Sequence, residues 1–208
     1  MNAQVFVANL SRLSLPSVFN PYRDVCSEHD GIEGPAIRRS NLRLYLDAAL
    51  RSGVDSVWLG RDCGYRGARR TGIALTDEAH LTLLARRFAI EGIAKATNGP
   101  TVKERTATEV WKIIHEVDAR MFLWNIFPFH PFESGDSMTN RRHTVSEFNQ
   151  CKQALVDLLD FLKPRRIIAL GADAQKALAR LGISASGVRH PSYGGQADFA
   201  AAIRKLYV

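Results

Sequence analysis

Three short apolar runs constrain this chain most: residues 54–60 (VDSVWLG), 119–126 (ARMFLWNI) and 166–171 (RIIALG). They are too short for independent helices and too continuous for strands with one wet face. Near-unbroken β-branched and aromatic runs of this length mark strands buried on both faces of a parallel sheet. Residues 184–190 (SASGVRH) form a weaker fourth candidate. Helical patterns lie between them. Residues 40–52 place Leu42, Leu46, Ala49 and Leu50 on one face and stop at Gly53. Thr76 is expected to cap a helix with Asp77 and Glu78 in its first turn and Gly92 beyond its end. Thr144 and Glu147 form a T-x-x-E capping box ahead of a helix over 148–162, with Pro164 after it. A further helix over 172–181 follows a strand directly and stops at Gly182. Strand–helix alternation predicts a three-layer α/β/α sandwich with a mainly parallel central sheet of about four strands. The 208 residues suit one sizeable core, so one domain over 1–208 is expected.

Composition narrows the function. The formal charge of +7 and a pI near 9.6 bias the chain toward polyanions, because neutralised phosphates release counterions. A well-solvated basic surface fits the same numbers. Cys26, Cys63 and Cys151 form no CxxC pair, so neither a disulfide framework nor a metal site is expected. That suits a reduced, cytoplasmic compartment. The start, MNAQVFVANLSRL, has no secretory pattern, and no apolar stretch is long enough for a bilayer. Without a P-loop or a G-x-G-x-x-G sequence, a small-molecule nucleotide-binding protein is disfavoured.

Ligands of parallel α/β sheets bind at the carboxyl ends of the strands. Three unusual segments lie there. The first runs from Gly60 to Gly72 and holds four arginines, four glycines and one acid, Asp62. Glycines let backbone approach a ligand, and arginines suit phosphate. A solvated loop with Asp62 paired to an arginine is the competing reading. The second, Leu123 to Pro131, ends an apolar strand on Asn125. An amide offers donor and acceptor to a base edge, and it also serves as a buried turn former. Phe127, Phe129 and Phe132 read first as core. The third, Val188 to Gly195, contains His190-Pro191-Ser192-Tyr193-Gly194.

In this order, on successive strand ends, the three segments resemble the uracil-DNA glycosylase superfamily. The resemblance covers residues 54–208 and touches Phe19-Asn20-Pro21-Tyr22, which is similar to loops that approach DNA. Gly60-Arg61-Asp62-Cys63 matches the family's first motif, with Cys63 where proline is usual. His190-Pro191-Ser192 matches the second. The resemblance implies that Asp62 positions water and faces the cationic sugar, and that His190 donates to the departing base anion. It implies that Asn125 reads the flipped base, within a pocket that includes Gly60, Arg61, Tyr65 and Leu75. Ser192, Pro191, Tyr193 and Gly194 would meet DNA, with Tyr193 or a neighbour entering the duplex. Arg66, Arg69, Arg70, Arg141 and Arg142 would meet phosphates, and Arg165 and Arg166 add further charge.

Departures from the family pattern bear on which base is taken. Gly64 stands where the strictest branch excludes the thymine methyl with tyrosine, although Tyr65 is adjacent. Leu75 stands where an aromatic stacks on the base. The four cysteines of the iron–sulfur branch are missing. The expectation is a monomeric, nucleoid-associated glycosylase acting on uracil-containing DNA without metal or cofactor. Deaminated purines (hypoxanthine or xanthine) are the alternative substrates, and a non-catalytic lesion-binding protein is the alternative class. Glu78 and His130 are the other titratable groups near these segments.

Overall fold

The computed structural model describes residues 2–192 and 194–207. Helix α1 (Ala3–Arg12) and the two-residue strand β1 (Val18–Phe19) precede α2 (Gly34–Ser52). Strand β2 (Ser56–Asp62) is followed by the single turn α3 (Ala68–Thr71), a 3-10 turn at Glu78–His80, α4 (Leu81–Arg87) and α5 (Arg105–Ile114). Strands β3 (Met121–Phe127) and β4 (His130–Pro131) lead to α6 (Val145–Leu162). Strand β5 (Arg166–Leu170), α7 (Ala172–Arg180), β6 (Ser186–Val188) and α8 (Gln196–Leu206) complete the order.

The central sheet is four-stranded, in the order β3-β2-β5-β6, and parallel at every pairing. This is the expected α/β architecture, a sheet flanked by helices. β2 and β3 are buried along almost their whole length, as their unbroken apolar sequences require. From β2 the chain moves first to β3 and afterwards crosses to β5 on the other side. Right-handed crossovers then send the connections to opposite faces and open a crevice between the carboxyl ends of β2 and β5. β3 is an edge strand, and two of its free backbone groups are met by one side chain. The Tyr45 hydroxyl accepts from Leu123 N at 3.0 Å and donates to Met121 O at 3.3 Å.

Several local expectations change. The helix expected over 40–52 begins at Gly34, with Pro35 in its first turn, where a missing N–H costs nothing. Its first half reads as polar because Arg38 and Asn41 are buried there to make hydrogen bonds, not to repel water. Leu50, expected on the apolar face, is 40% exposed. Thr76 is not the cap of the next helical segment. Asp77 takes that role, accepting from His80 N, while the Thr76 hydroxyl bonds Ala74 O and the Trp111 indole. α4 ends at Arg87, well before Gly92. The Thr144–Glu147 capping box forms in full. α1 and α5 add to the helices expected from pattern.

Phe19-Asn20-Pro21-Tyr22 is not a DNA-approaching loop. All four residues are buried. The Asn20 amide donates to Leu10 O and Leu13 O, and the Tyr22 hydroxyl donates to Gly72 O at 2.9 Å. The segment ties α1 and the long arginine-bearing loop to the body.

Beneath it, Arg38 donates to Pro21 O, Asp24 O and both oxygens of Asp30. The Arg38 and Asp30 side chains are 0% and 1% exposed. Removing one member of a fully buried pair strands the other charge, at a cost of about 3–5 kcal/mol. Asp30→Ala is therefore expected to lower stability by about 3 kcal/mol or more in urea titration. An unchanged midpoint would show that the pair is dispensable.

Candidate active site

At the β2–β5 crevice lies a cavity of about 450 Å³ whose lining includes Asp62, Leu75, Glu104, Asn125, His190 and Ser192. Strand register assembles its floor. Gly60 pairs with Asn125 and Asp62 with Phe127 across β2 and β3. A side chain at 60 would overlap Asn125 Oδ1 and come within 3.0 Å of Leu75 Cδ2, so only glycine leaves the amide its place. Leu75 itself sits at φ +55, a strained backbone region for a branched residue.

Asn125 is 1% exposed. Its Nδ2 makes a long 3.5 Å contact to Cys63 Sγ, and its Oδ1 has no hydrogen-bond partner among the described residues. A buried amide oxygen without a partner carries a desolvation cost, which a ligand N–H entering the cavity would relieve.

Asp62 ends β2 with its side chain 6% exposed. Arg61 Nε meets one carboxylate oxygen at 2.5 Å, and His143 Nδ1 meets the other. Arg61 also reaches Asp173 in the first turn of α7, at 2.8 Å. The hydrogen bond from Arg61 holds the Asp173 carboxyl below its ordinary range. His143 is stacked on Phe127 and Phe148, so its ring plane is fixed. An ionised carboxylate has about four acceptor sites, so both partners leave room for a water on Asp62.

His190 accepts a hydrogen bond at Nδ1 from the Ser192 backbone N–H, 3.2 Å away. Burial, and then the Arg61 charge, hold its pKa below the usual histidine value, with Asp173 opposing. A neutral ring with Nδ1 accepting carries its proton on Nε2, which makes it a fixed neutral donor. The Ser192 hydroxyl is 3.0 Å from that of Thr106.

The expected site residues separate into three groups. Asp62, Arg61, Asn125, Leu75, His190 and Ser192 line one cavity, with Gly60 beside Asn125. Tyr65 is not among them. It lies with Arg66 on a neighbouring cavity near His29 and Asn98. Pro191 is buried, Gly194 is exposed with open space around it, and Tyr193 lies outside the described residues.

The arginines divide by burial. Arg66 and Arg142 are exposed. Arg69 and Arg70 are buried and cannot serve phosphate in this conformation. Arg69 bonds Ser137 O and His130, and Arg70 pairs with Glu78 at 3.1 Å. Arg141 is committed to Glu147 through two bonds of 2.9 and 2.6 Å. Arg165 and Arg166 stand at the amino end of β5, at the end of the sheet opposite the cavity. Glu78 and His130 are likewise structural. Glu78 also accepts from Val102 N, and burial and Arg69 push His130 down to about 4.

Among the residues absent from the motifs that enter the site, beside Thr106 and Asp173, are His143 and Glu104. Both belong to connecting segments whose sequence shows only ordinary polar residues, and tertiary folding alone brings them in. Cys63, in the place of the usual proline, is buried and donates to Pro128 O at 3.2 Å. Among the described residues, no three His, Cys, Asp or Glu side chains are grouped as metal ligands would be, and no helix is long and apolar enough to cross a membrane.

The cavity at the switch point of the parallel sheet thus has room for a small polar ring beside an amide oxygen that has no partner among the described residues and a neutral imidazole donor. A model of the uracil DNA glycosylase superfamily matches residues 53–206, and the chain belongs to that superfamily. In fold it is similar to the crystal structure of wild-type Pedobacter heparinus SMUG2. Identity is 13%, the TM-score is 0.63, and the match covers 100% of this chain and 96% of that one. No curated protein matches. Family and fold together make the chain a DNA glycosylase, a hydrolase of DNA repair.

Glu104 carries a consequence for stability. Burial first, and then the Asp77 charge, raise its carboxyl from 4.5 to about 7, with Arg66 opposing. The folded state therefore holds this proton more tightly than the unfolded state, and folding loses stability as pH rises from 4.5 through 7. Glu104→Gln removes the ionisable group. Its melting temperature at about pH 8 should exceed that of the parent, and the gain should vanish in acid. An equal or lower value at pH 8 would contradict the raised pKa.

Proposed function

We propose that this glycosylase excises uracil from DNA, taking the flipped base into the cavity bounded by Asp62, Asn125 and His190. The observation that carries the reading is the buried Oδ1 of Asn125, without a hydrogen-bond partner among the described residues, on a side chain that lines the same cavity as a neutral His190 donor. Uracil presents N3–H beside O4. Asn125 can accept from the first through Oδ1 and donate to the second with the remaining hydrogen of Nδ2. Cytosine presents the reverse pattern and would leave both ends of the amide mismatched.

The chemistry follows the charge. Cleavage of the glycosidic bond sends the electron pair to the base and leaves an oxocarbenium-like sugar. Asp62, held at both oxygens by Arg61 and His143, would stabilise that cation and orient the water that captures it. His190 donates from Nε2 to O2 of the departing anion without being charged beforehand. Arg61 links the carboxylate to Asp173, so the negative charge is held where the sugar would lie and away from the leaving group. Ser192 and the exposed Arg66 and Arg142 are assigned to the DNA backbone, and the protein is taken to act as a monomer.

Single-turnover kinetics on one uracil oligonucleotide, with abasic sites cleaved by alkali, test the assignment. Asp62→Asn should slow release by about 10²–10⁴-fold while binding persists. Asn125→Asp should also lose uracil excision, because an acceptor replaces the donor needed by O4. Asp62→Asn at near parental rate would make Asp62 a structural ion-pair partner. Tight binding with no abasic product from the parent protein would instead identify a lesion-binding protein.

A further inference from the structure

Among the polar side chains of the cavity that the mechanism above leaves unused is a carboxyl. Glu104 precedes α5 and lines the same cavity as Asn125, and its carboxyl lies against the backbone of Gly64 and Gly67. A side chain at either glycine would occupy the space that the carboxyl takes. No described residue makes a hydrogen bond to this carboxyl, although its own backbone N–H is anchored to Asp77 Oδ2 at 2.6 Å. The group is thus close-packed and, among the described residues, without a hydrogen-bond partner for its proton.

Its position relative to Asn125 decides what it can meet. Both side chains lie along one loop. Asn125 stands at the Gly60–Cys63 end, and Glu104 at the Gly64–Gly67 end. A nucleobase has three edges. With its Watson–Crick edge on Asn125 and its glycosidic edge toward Asp62 and His190, the third edge is left for Glu104. In uracil that edge carries only C–H groups. In a purine it carries N7, an acceptor. We propose that Glu104 is a specificity-determining residue that donates a hydrogen bond to N7 of a deaminated purine such as hypoxanthine, extending the enzyme beyond uracil. This rests on the glycosylase reading above and adds a second class of base to it.

Donation requires the neutral acid. The charged and titratable groups acting on Glu104 are Asp77, which favours the proton, Arg66, which opposes it, and the buried Cys63 thiol, which is uncharged. Desolvation dominates, so the carboxyl keeps its proton up to about pH 7. Above that pH the donor is lost, and a carboxylate faces the lone pair of N7 and the charge of the departing purine. The purine reaction must therefore weaken as pH rises through 7, and an amide at 104, which donates at every pH, must not share that limb.

The test compares single-turnover release of hypoxanthine and of uracil from otherwise identical oligonucleotides between about pH 5.5 and 8.5. The ratio of hypoxanthine to uracil release should fall with rising pH in the parent protein and stay level in Glu104→Gln. In Glu104→Ala at low pH the ratio should fall about tenfold, the worth of one well-placed hydrogen bond to a base. A ratio unaltered by both substitutions, or uracil release with no hypoxanthine release, overturns the role of Glu104 and leaves the uracil reading standing. Release of neither base overturns both.

Discussion

The parallel register of β2 with β3 is the constraint on which the site depends. Pairing Gly60 with Asn125 places an amide directly beside the one residue that has no side chain to displace it. A slip of one residue would turn Asn125 to the other face of the sheet and put Trp124 or Ile126 at the crevice. The register is fixed by burial, since every residue of β3 is buried and both its faces are packed. The Asn125 amide is thus positioned by the hydrophobic effect acting on Trp124, Ile126 and their neighbours. The same pairing sets Asp62 level with Phe127, whose ring carries His143, so the partner of the carboxylate arrives through the same strand contact.

What the sequence made legible follows from how local each signal is. The buried strands and the capping box at Thr144 are written in adjacent residues, and all of them form, with β2 and β3 starting two residues later than expected and β5 exposed at its first residue. Gly60, Asp62, Asn125 and His190 were legible because each closes a recognisable strand end, and the parallel sheet brings strand ends together. Glu104 and His143 were not, because nothing near them in the chain marks them. Glu104 reaches the cavity only after the whole β2–α5 connection has folded. The start of α2 was hidden for a related reason. Arg38 and Asn41 look like a solvent-facing stretch until their buried hydrogen bonds are known.

The arginines show why charge alone is a poor guide to a nucleic-acid face. The loop after β2 holds four of them, yet Arg69 and Arg70 turn inward to His130, Ser137 and Glu78. Arg69 also lies over the Phe19 ring at 4.0 Å. A guanidinium suits this work because its planar fork satisfies several carbonyls and a carboxylate at once. These internal struts hold a glycine-rich loop that has little core of its own. Arg66 and Arg142 are left for long-range attraction to phosphate, so the positive surface near the site is smaller than the net charge suggests.

Charge at the site is arranged in series. Arg61 joins Asp62 to Asp173, and its field, with burial, keeps His190 neutral. A protonated His190 would attract the leaving anion more strongly, but it would have to be desolvated beside a guanidinium before any base had bound. A neutral donor avoids that cost and still strengthens its bond as charge develops on the base. The Asp62 carboxylate is offset by two cationic or donor partners, Arg61 and His143, which lowers the cost of keeping it beside a partly dry cavity. Removing Arg61 would therefore act at two places, freeing the Asp62 carboxylate at one end and removing a charge that lowers the His190 pKa at the other.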